Sequence, residues 1–164
     1  MDLAPWPLDK AQYRNYRGYV MSGNSRFPVA VHVMAALAYR DGEVVPSPLL
    51  AESVKTNPVV IRRLVAQLRR AGLVEAQAGK SGGVRLARRP ESISLLDVFR
   101  AVEGGSPFVL PDKAENKKCA VSCAMKKLLS SILAETDRAI STSLEKTRLS
   151  DIVKDVARAT KVSR

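Results

Sequence analysis

The sequence predicts a mainly α-helical fold with one small β-hairpin, and three observations predict it. In residues 57–72, Ile61, Leu64, Val65 and Leu68 recur at the i, i+3, i+4, i+7 spacing of one buried helical face. Residues 73–78 and 84–87 then alternate as two strands around the glycine-rich loop 79–83. Further on, Met125, Leu128, Leu129, Ile132, Leu133, Thr136, Ile140 and Leu144 make an apolar seam of three to four heptads. Helix, short turn, helix and hairpin in that order form a winged helix-turn-helix domain, and the seam adds a long C-terminal helix. The expected division is a leader or flexible arm at 1–20, the winged domain at 21–104, and a loop at 105–119. The long helix and a short terminal helix follow at 120–156, with a tail at 157–164.

With 164 residues, 46% of them hydrophobic, the chain can bury one core and carry an extension. A formal charge of +11 favours a polyanionic partner, either nucleic acid or an anionic membrane. The placement of that charge separates the two. Residues 55–89 hold nine lysines and arginines against Glu75 alone. The helix within them turns Arg62, Arg63, Gln67, Arg69 and Arg70 away from its apolar face, while that face lacks the aromatics of a membrane-surface helix. Double-stranded DNA is the better match, with no membrane partner. Two cysteines are too few for a secreted disulfide scaffold, and no apolar run nears the ~18 residues of a spanning helix. The expected location is the cytoplasm.

Taken in order, the elements have local reasons. Residues 1–20 include Pro5, Trp6 and Pro7 and show no clear period; a second methionine, Met21, precedes the first convincing helix. That helix, 25–39, places Phe27, Val31, Met34, Leu37 and Ala38 on its apolar side. His32, the only histidine, lies among apolar neighbours and reads as a satisfied or half-exposed helix residue, not a metal ligand or catalytic group. Asp41-Gly42 is a turn, and Val44-Val45 is a short strand able to pair with the hairpin. Ser47-Pro48 reads as N-cap and first helical residue of a short helix through Leu49, Leu50, Ala51 and Val54. Lys55-Thr56-Asn57 is a three-residue connection; Asn57 caps the next helix, Pro58 opens it, and Gly72 ends it in the left-handed region. After Pro90, Ser94 caps a helix with Asp97 three residues on, a relative of the capping box. Leu95, Leu96, Val98, Phe99 and Val102 give that helix its stripe, and Gly104-Gly105 closes it. The proline- and charge-rich stretch 106–118 is an exposed loop, and 150–156 is the short terminal helix.

Enzymatic readings find little support. Gly79-Lys80-Ser81 imitates the end of a phosphate-binding P-loop, but that motif needs glycine at Val74 and a helix after the lysine, where glycines and a strand follow. There is no histidine-carboxylate spacing and no nucleophile elbow.

From Met21 to about Val156 the chain resembles the Rrf-two family of bacterial transcription regulators. Ser25-Arg26-Phe27 with Val29-Ala30-Val31-His32, and Asn57-Pro58-Val59-Val60-Ile61-Arg62-Arg63-Leu64, carry the likeness. So do Leu68-Arg69-Arg70-Ala71-Gly72-Leu73-Val74, Gly82-Gly83-Val84-Arg85-Leu86-Ala87-Arg88 and Ile93-Ser94-Leu95-Leu96-Asp97-Val98. The resemblance implies a homodimer, joined through the long helix, that binds a palindromic operator as a transcriptional regulator, with repression the expected mode. Recognition helices would enter successive major grooves about 34–36 Å apart. It implies that Asn57, Val59, Arg62 and Arg63 face bases or nearby phosphates, with Ser47 at the head of the preceding helix beside them. Lys80, Ser81 and Arg85 of the wing would reach the minor groove or its phosphates.

Sensing rests on Cys119 and Cys123. Family members that hold a 2Fe-2S iron-sulfur cluster present three cysteines in the loop before the long helix, whereas residues 111–119 have only Cys119. One chain cannot supply four thiolates, so a cluster or other metal would need donors from elsewhere, and no cofactor is the leading expectation. A thiol switch is the alternative. On a helix, an i, i+4 pair has Cα atoms about 6 Å apart, at the outer part of disulfide range. Lys117, Lys118, Lys126 and Lys127 add positive charge beside the thiols, which favours reactive thiolate. The pair also fits two small side chains packed at the root of the long helix.

Overall fold

A computed structural model describes residues 25–40, 42–79, 82–108, 110–112, 114 and 116–162. The expected arm at 1–20, Asp41 of the first turn, and the wing residues Lys80 and Ser81 lie outside the described residues.

Among the described residues, six α-helices, one hairpin and a short 3-10 turn (Pro90–Ser92, between β2 and α4) follow in the order α1 (Arg26–Tyr39), α2 (Ser47–Val54), α3 (Pro58–Arg70), β1 (Val74–Gln77), β2 (Gly83–Leu86), α4 (Leu95–Glu103), α5 (Ala120–Lys146) and α6 (Leu149–Val162). Helix α1 is the spine of the core. It buries Ala30, Val33, Met34, Leu37 and Ala38, so the expected stripe sits slightly rotated, with Phe27 and Val31 only half-buried. Phe27 meets Phe99 of α4 edge-on, ring centres 5.3 Å apart, which ties the first helix to the fourth.

The α2–α3 turn is the three residues expected, and Lys55 takes a left-handed conformation (φ 56°) to make it. The start of α2 differs from expectation. Ser47 is the first helical residue, Pro46 occupies the cap position, and the Ser47 hydroxyl makes no capping bond. The extended backbone of Pro46 (ψ 139°) already aims the chain, so its carbonyl accepts from Leu49 and Leu50 N–H. Helix α3 behaves as its period demands. Asn57 Oδ1 accepts from the Val59 N–H at 2.8 Å, and Ile61, Leu64, Val65 and Leu68 are the buried residues. Gly72, with φ +68°, turns the chain out.

Strands β1 and β2 are antiparallel, with Glu75 opposite Arg85 and Gln77 opposite Gly83. Val45 adds the short third pairing: its N–H donates to Val84 O at 2.8 Å and its carbonyl accepts from Val84 N–H at 2.9 Å. Gly83, expected in the loop, is the first residue of β2. A Cβ there would lie 2.6 Å from the Val45 carbonyl oxygen, so this glycine lets two backbones approach.

Both bonds of the α4 capping box form: Ser94 Oγ accepts from Asp97 N–H at 3.0 Å, and Asp97 Oδ2 accepts from Ser94 N–H at 2.9 Å. The same cap receives the end of the long helix. Leu95 N–H donates to Thr147 O at 3.0 Å, Leu149 N–H donates to Ile93 O at 2.9 Å, and Leu149 is fully buried. Helix α6 therefore returns to the core beside α1, where Val153 packs against the cluster. It runs to Val162, beyond the expected end at 156, so much of the expected 157–164 tail is helical. Helix α5 spans 27 residues and buries none of them. No described helix is long and apolar enough to cross a membrane.

Candidate nucleic-acid interface

Burial of one side of α3 fixes where the other side points. Val59, Arg63, Ala66 and Arg70 lie opposite the buried face at i, i+4, i+7, i+11 spacing, and all four are exposed. Arg62 and Arg69, one turn of the wheel towards the hairpin, are exposed as well. Among the described residues, none of the four arginines Arg62, Arg63, Arg69 and Arg70 has a side-chain hydrogen bond or an ion pair. Four uncompensated guanidinium groups on one 13-residue helix hold a positive field that only an anion relieves.

An open groove of about 370 Å³ separates α3 from the wing. Arg62 and Arg69 line one wall, Ala76 and Gln77 of β1 the other, and Ser47 stands at its end. The structure thus brings Ser47 and Arg62 together from the expected site residues and adds Arg69. The signal for Arg69 was available, since i and i+7 share a helical face. Asn57 is exposed at the head of α3, but its carbonyl oxygen is engaged by the Val59 N–H. That bond uses one of the two lone pairs of the side-chain oxygen and ties the amide to the helix cap. Arg85 projects from the other face of the hairpin, where its Nε and Nη2 donate to Glu75 Oε2 at 2.9 and 2.8 Å. The one acid of the basic stretch thus neutralises one of its cations.

His32 fulfils the modest expectation. Its Nε2 lies 2.9 Å from Ser53 Oγ, joining α1 to α2, and burial lowers its pKa from 6.5.

The two cysteines sit at the start of α5, neither in a disulfide. Cys119 occupies the cap position in extended conformation (φ −119°, ψ 112°), and Cys123 lies in the first turn. Asn116 holds this corner: its carbonyl accepts from Cys119 N–H at 2.9 Å and from Cys123 Sγ at 3.6 Å, and its own N–H donates to Ser122 Oγ at 2.9 Å. A 2Fe-2S cluster takes four donors. The chain has two thiols, and no group of three or more His, Cys, Asp or Glu among the described residues could hold a metal ion. The two thiols supply half of that donor set, and the other two donors would have to come from non-cysteine residues or from a second copy.

Residues 24–155 match the Rrf2 family, described as iron-dependent transcriptional regulators. The chain is 33% identical over 130 residues to YwnA of Bacillus subtilis, covering 79% of this chain and 96% of YwnA. It is 34% identical over 142 residues to the HTH-type transcriptional regulator IscR of Cereibacter sphaeroides, covering 84% and 89%. The solved structure of CymR, the global cysteine regulator of B. subtilis, superposes with a TM-score of 0.59 at 26% identity, covering 80% of this chain and 95% of that one. The match over nearly the whole described body, with the arginine face of α3 beside a hairpin wing, makes this chain a member of the Rrf2 family: a DNA-binding winged-helix transcriptional regulator, not an enzyme.

Proposed function

We propose that the protein acts in the cytoplasm as a homodimeric repressor of a palindromic operator, with its affinity set by the oxidation state of Cys119 and Cys123. The observation that carries the DNA-binding half is the exposed face of α3 with its four arginines and no acidic partner among the described residues. In this reading the head of α3 enters the major groove, bringing Val59, Arg62 and Arg63 to base edges, and Asn57 stays at the helix cap. An arginine bidentate to guanine discriminates by about 1–3 kcal/mol, and phosphate contacts add affinity that falls with salt. Ser47, with Lys80, Ser81 and Arg85 of the wing, supplies phosphate or minor-groove contacts. The Glu75–Arg85 pair is exposed, and such pairs contribute no more than about 1 kcal/mol, so a phosphate can displace the carboxylate.

The second copy supplies what α5 lacks. Val121, Met125, Leu128 and Ile132 follow a heptad seam in its first half and are 42–62% exposed, whereas Leu133, Ile140 and Leu144 in the second half are half-buried. The outward half is the proposed dimer contact. In the sensing step, Cys119 and Cys123 lose two electrons and two protons to a peroxide, which leaves as water, and an S–S bond forms. Cys123 Sγ must then leave the Asn116 carbonyl, disturbing the first turn of α5 next to the dimer seam.

Titration of labelled operator and random duplexes over a salt series, with thiols reduced and after peroxide, tests the reading. Operator preference in the reduced state, lost on oxidation and retained by Cys119→Ser under peroxide, is the expected result. Equal affinity for anionic vesicles and DNA, or a peroxide response that persists in Cys119→Ser, would overturn the corresponding half.

A further inference from the structure

Helix α3 carries two aliphatic side chains that its core does not use. Val59 is 46% exposed and Val60 is 45% exposed, both in the first turn. They do not point the same way. Val59 shares the outward ridge with Arg63 and Ala66, opposite Ile61 and Leu68, while Val60 lies on the flank away from the wing. The cap fixes the Val59 backbone, because its N–H is held by Asn57 Oδ1 at 2.8 Å, and β-branching leaves its side chain few rotamers. Ala66, next on the ridge, is small enough to let the helix approach closely.

A branched hydrocarbon with few rotamers at the leading end of a cationic helix has one apolar counterpart in a major groove, the C5 methyl group of thymine. We infer that Val59 reads a thymine in each half-site by contact with that methyl. The inference rests on the docking of α3 in the major groove proposed above, and it assigns the chemistry of one position within it. It also divides labour along the ridge: Val59 takes the methyl, and Arg63 one turn later takes a hydrogen-bonding base edge.

The test replaces thymine by uracil, which removes the methyl and leaves every hydrogen-bonding group. An operator is selected from random duplexes with the full chain, and uracil is placed singly at each thymine. Wild type is expected to lose about fourfold in affinity at one thymine per half-site, the worth of one buried methyl. Val59→Ala should bind the thymine operator about fourfold more weakly and become indifferent to uracil there, while Val60→Ala keeps the wild-type response. Uracil sensitivity that survives in Val59→Ala, or vanishes equally in Val60→Ala, overturns the assignment while leaving DNA binding intact. A wild type indifferent to uracil everywhere does the same. A wild type that selects no sequence at all removes the docking of α3 and this inference with it.

Discussion

Helix α3 hides Ile61, Leu64, Val65 and Leu68 inside its own subunit, whereas α5, twice its length, buries no side chain at all. Both sequences are two-faced, so the contrast does not come from amphipathicity. It comes from what surrounds each apolar face. Helix α3 lies between α2, α4 and the hairpin, and its apolar side is satisfied within the chain, leaving an outward surface dominated by four arginines. Helix α5 meets α4, and Leu133, Ile140 and Leu144 of its second half are half-buried, but in its first half Leu128 and Ile132 are each 57% exposed. One helix is complete and offers charge; the other is incomplete and offers hydrocarbon.

The largest effect should come from denying α5 the second copy proposed to cover its outward half. Leu128→Glu combined with Ile132→Glu leaves the subunit core untouched, so thermal unfolding of the dilute protein should change little. Sedimentation should show monomers, and operator affinity should fall by about 10²–10⁴, the usual gain from joining two binding modules. Monomers that bind the operator as well as wild type would break the contrast. On α3 the same kind of change acts inward. Leu68→Ala should cost about 2–5 kcal/mol in urea unfolding, against less than about 0.5 kcal/mol for Leu128→Ala in the separated subunit.

How far these features could be read from the chain follows the same division. The buried face of α3, its cap at Asn57, its end at Gly72 and the α4 capping box were all legible, because each is set by residues within a few positions of one another. The α5 seam was legible as a pattern, but its split into an exposed half and a half-buried half was not, since heptad spacing says nothing about which neighbour arrives. The return of α6 escaped for the same reason. Leu149 is an ordinary leucine in sequence, and only its pairing with Ile93 takes it into the core. At the site, Arg62 and Arg63 look alike as neighbours, and the groove beside the wing separates them. Arg85 had a readable partner, because hairpin register sets Glu75 directly across from it.

The arginine face permits a sharper comparison within α3. Arg63→Ala should reduce operator binding by about 1–3 kcal/mol and narrow the gap between operator and random duplex. Arg69→Ala should weaken both duplexes alike and lower the salt slope by about one. Equal behaviour of the two variants in anisotropy titrations would erase the distinction between ridge and groove. Away from the interface, Ser94→Ala removes one bond of the cap on which the end of α5 rests. It should cost about 1 kcal/mol in unfolding free energy with operator discrimination unchanged.

The smallest effect concerns His32, which couples α1 to α2 through Ser53. Burial disfavours its charged form, so the folded state holds the proton less tightly than the unfolded chain, whose imidazole titrates near 6.5. Above 6.5 both states are neutral and the contribution is complete. As pH falls below 6.5, the unfolded chain takes up the proton first and stability declines, levelling only below the lower folded value. His32→Gln keeps a polar group for Ser53 and removes the titration. Its unfolding free energy should therefore fall less steeply than wild type between pH 6.5 and 5, when each is compared with its own value at pH 7.5. An identical slope in the variant would move the acid sensitivity to the carboxylates, leaving His32 as packing between the first two helices.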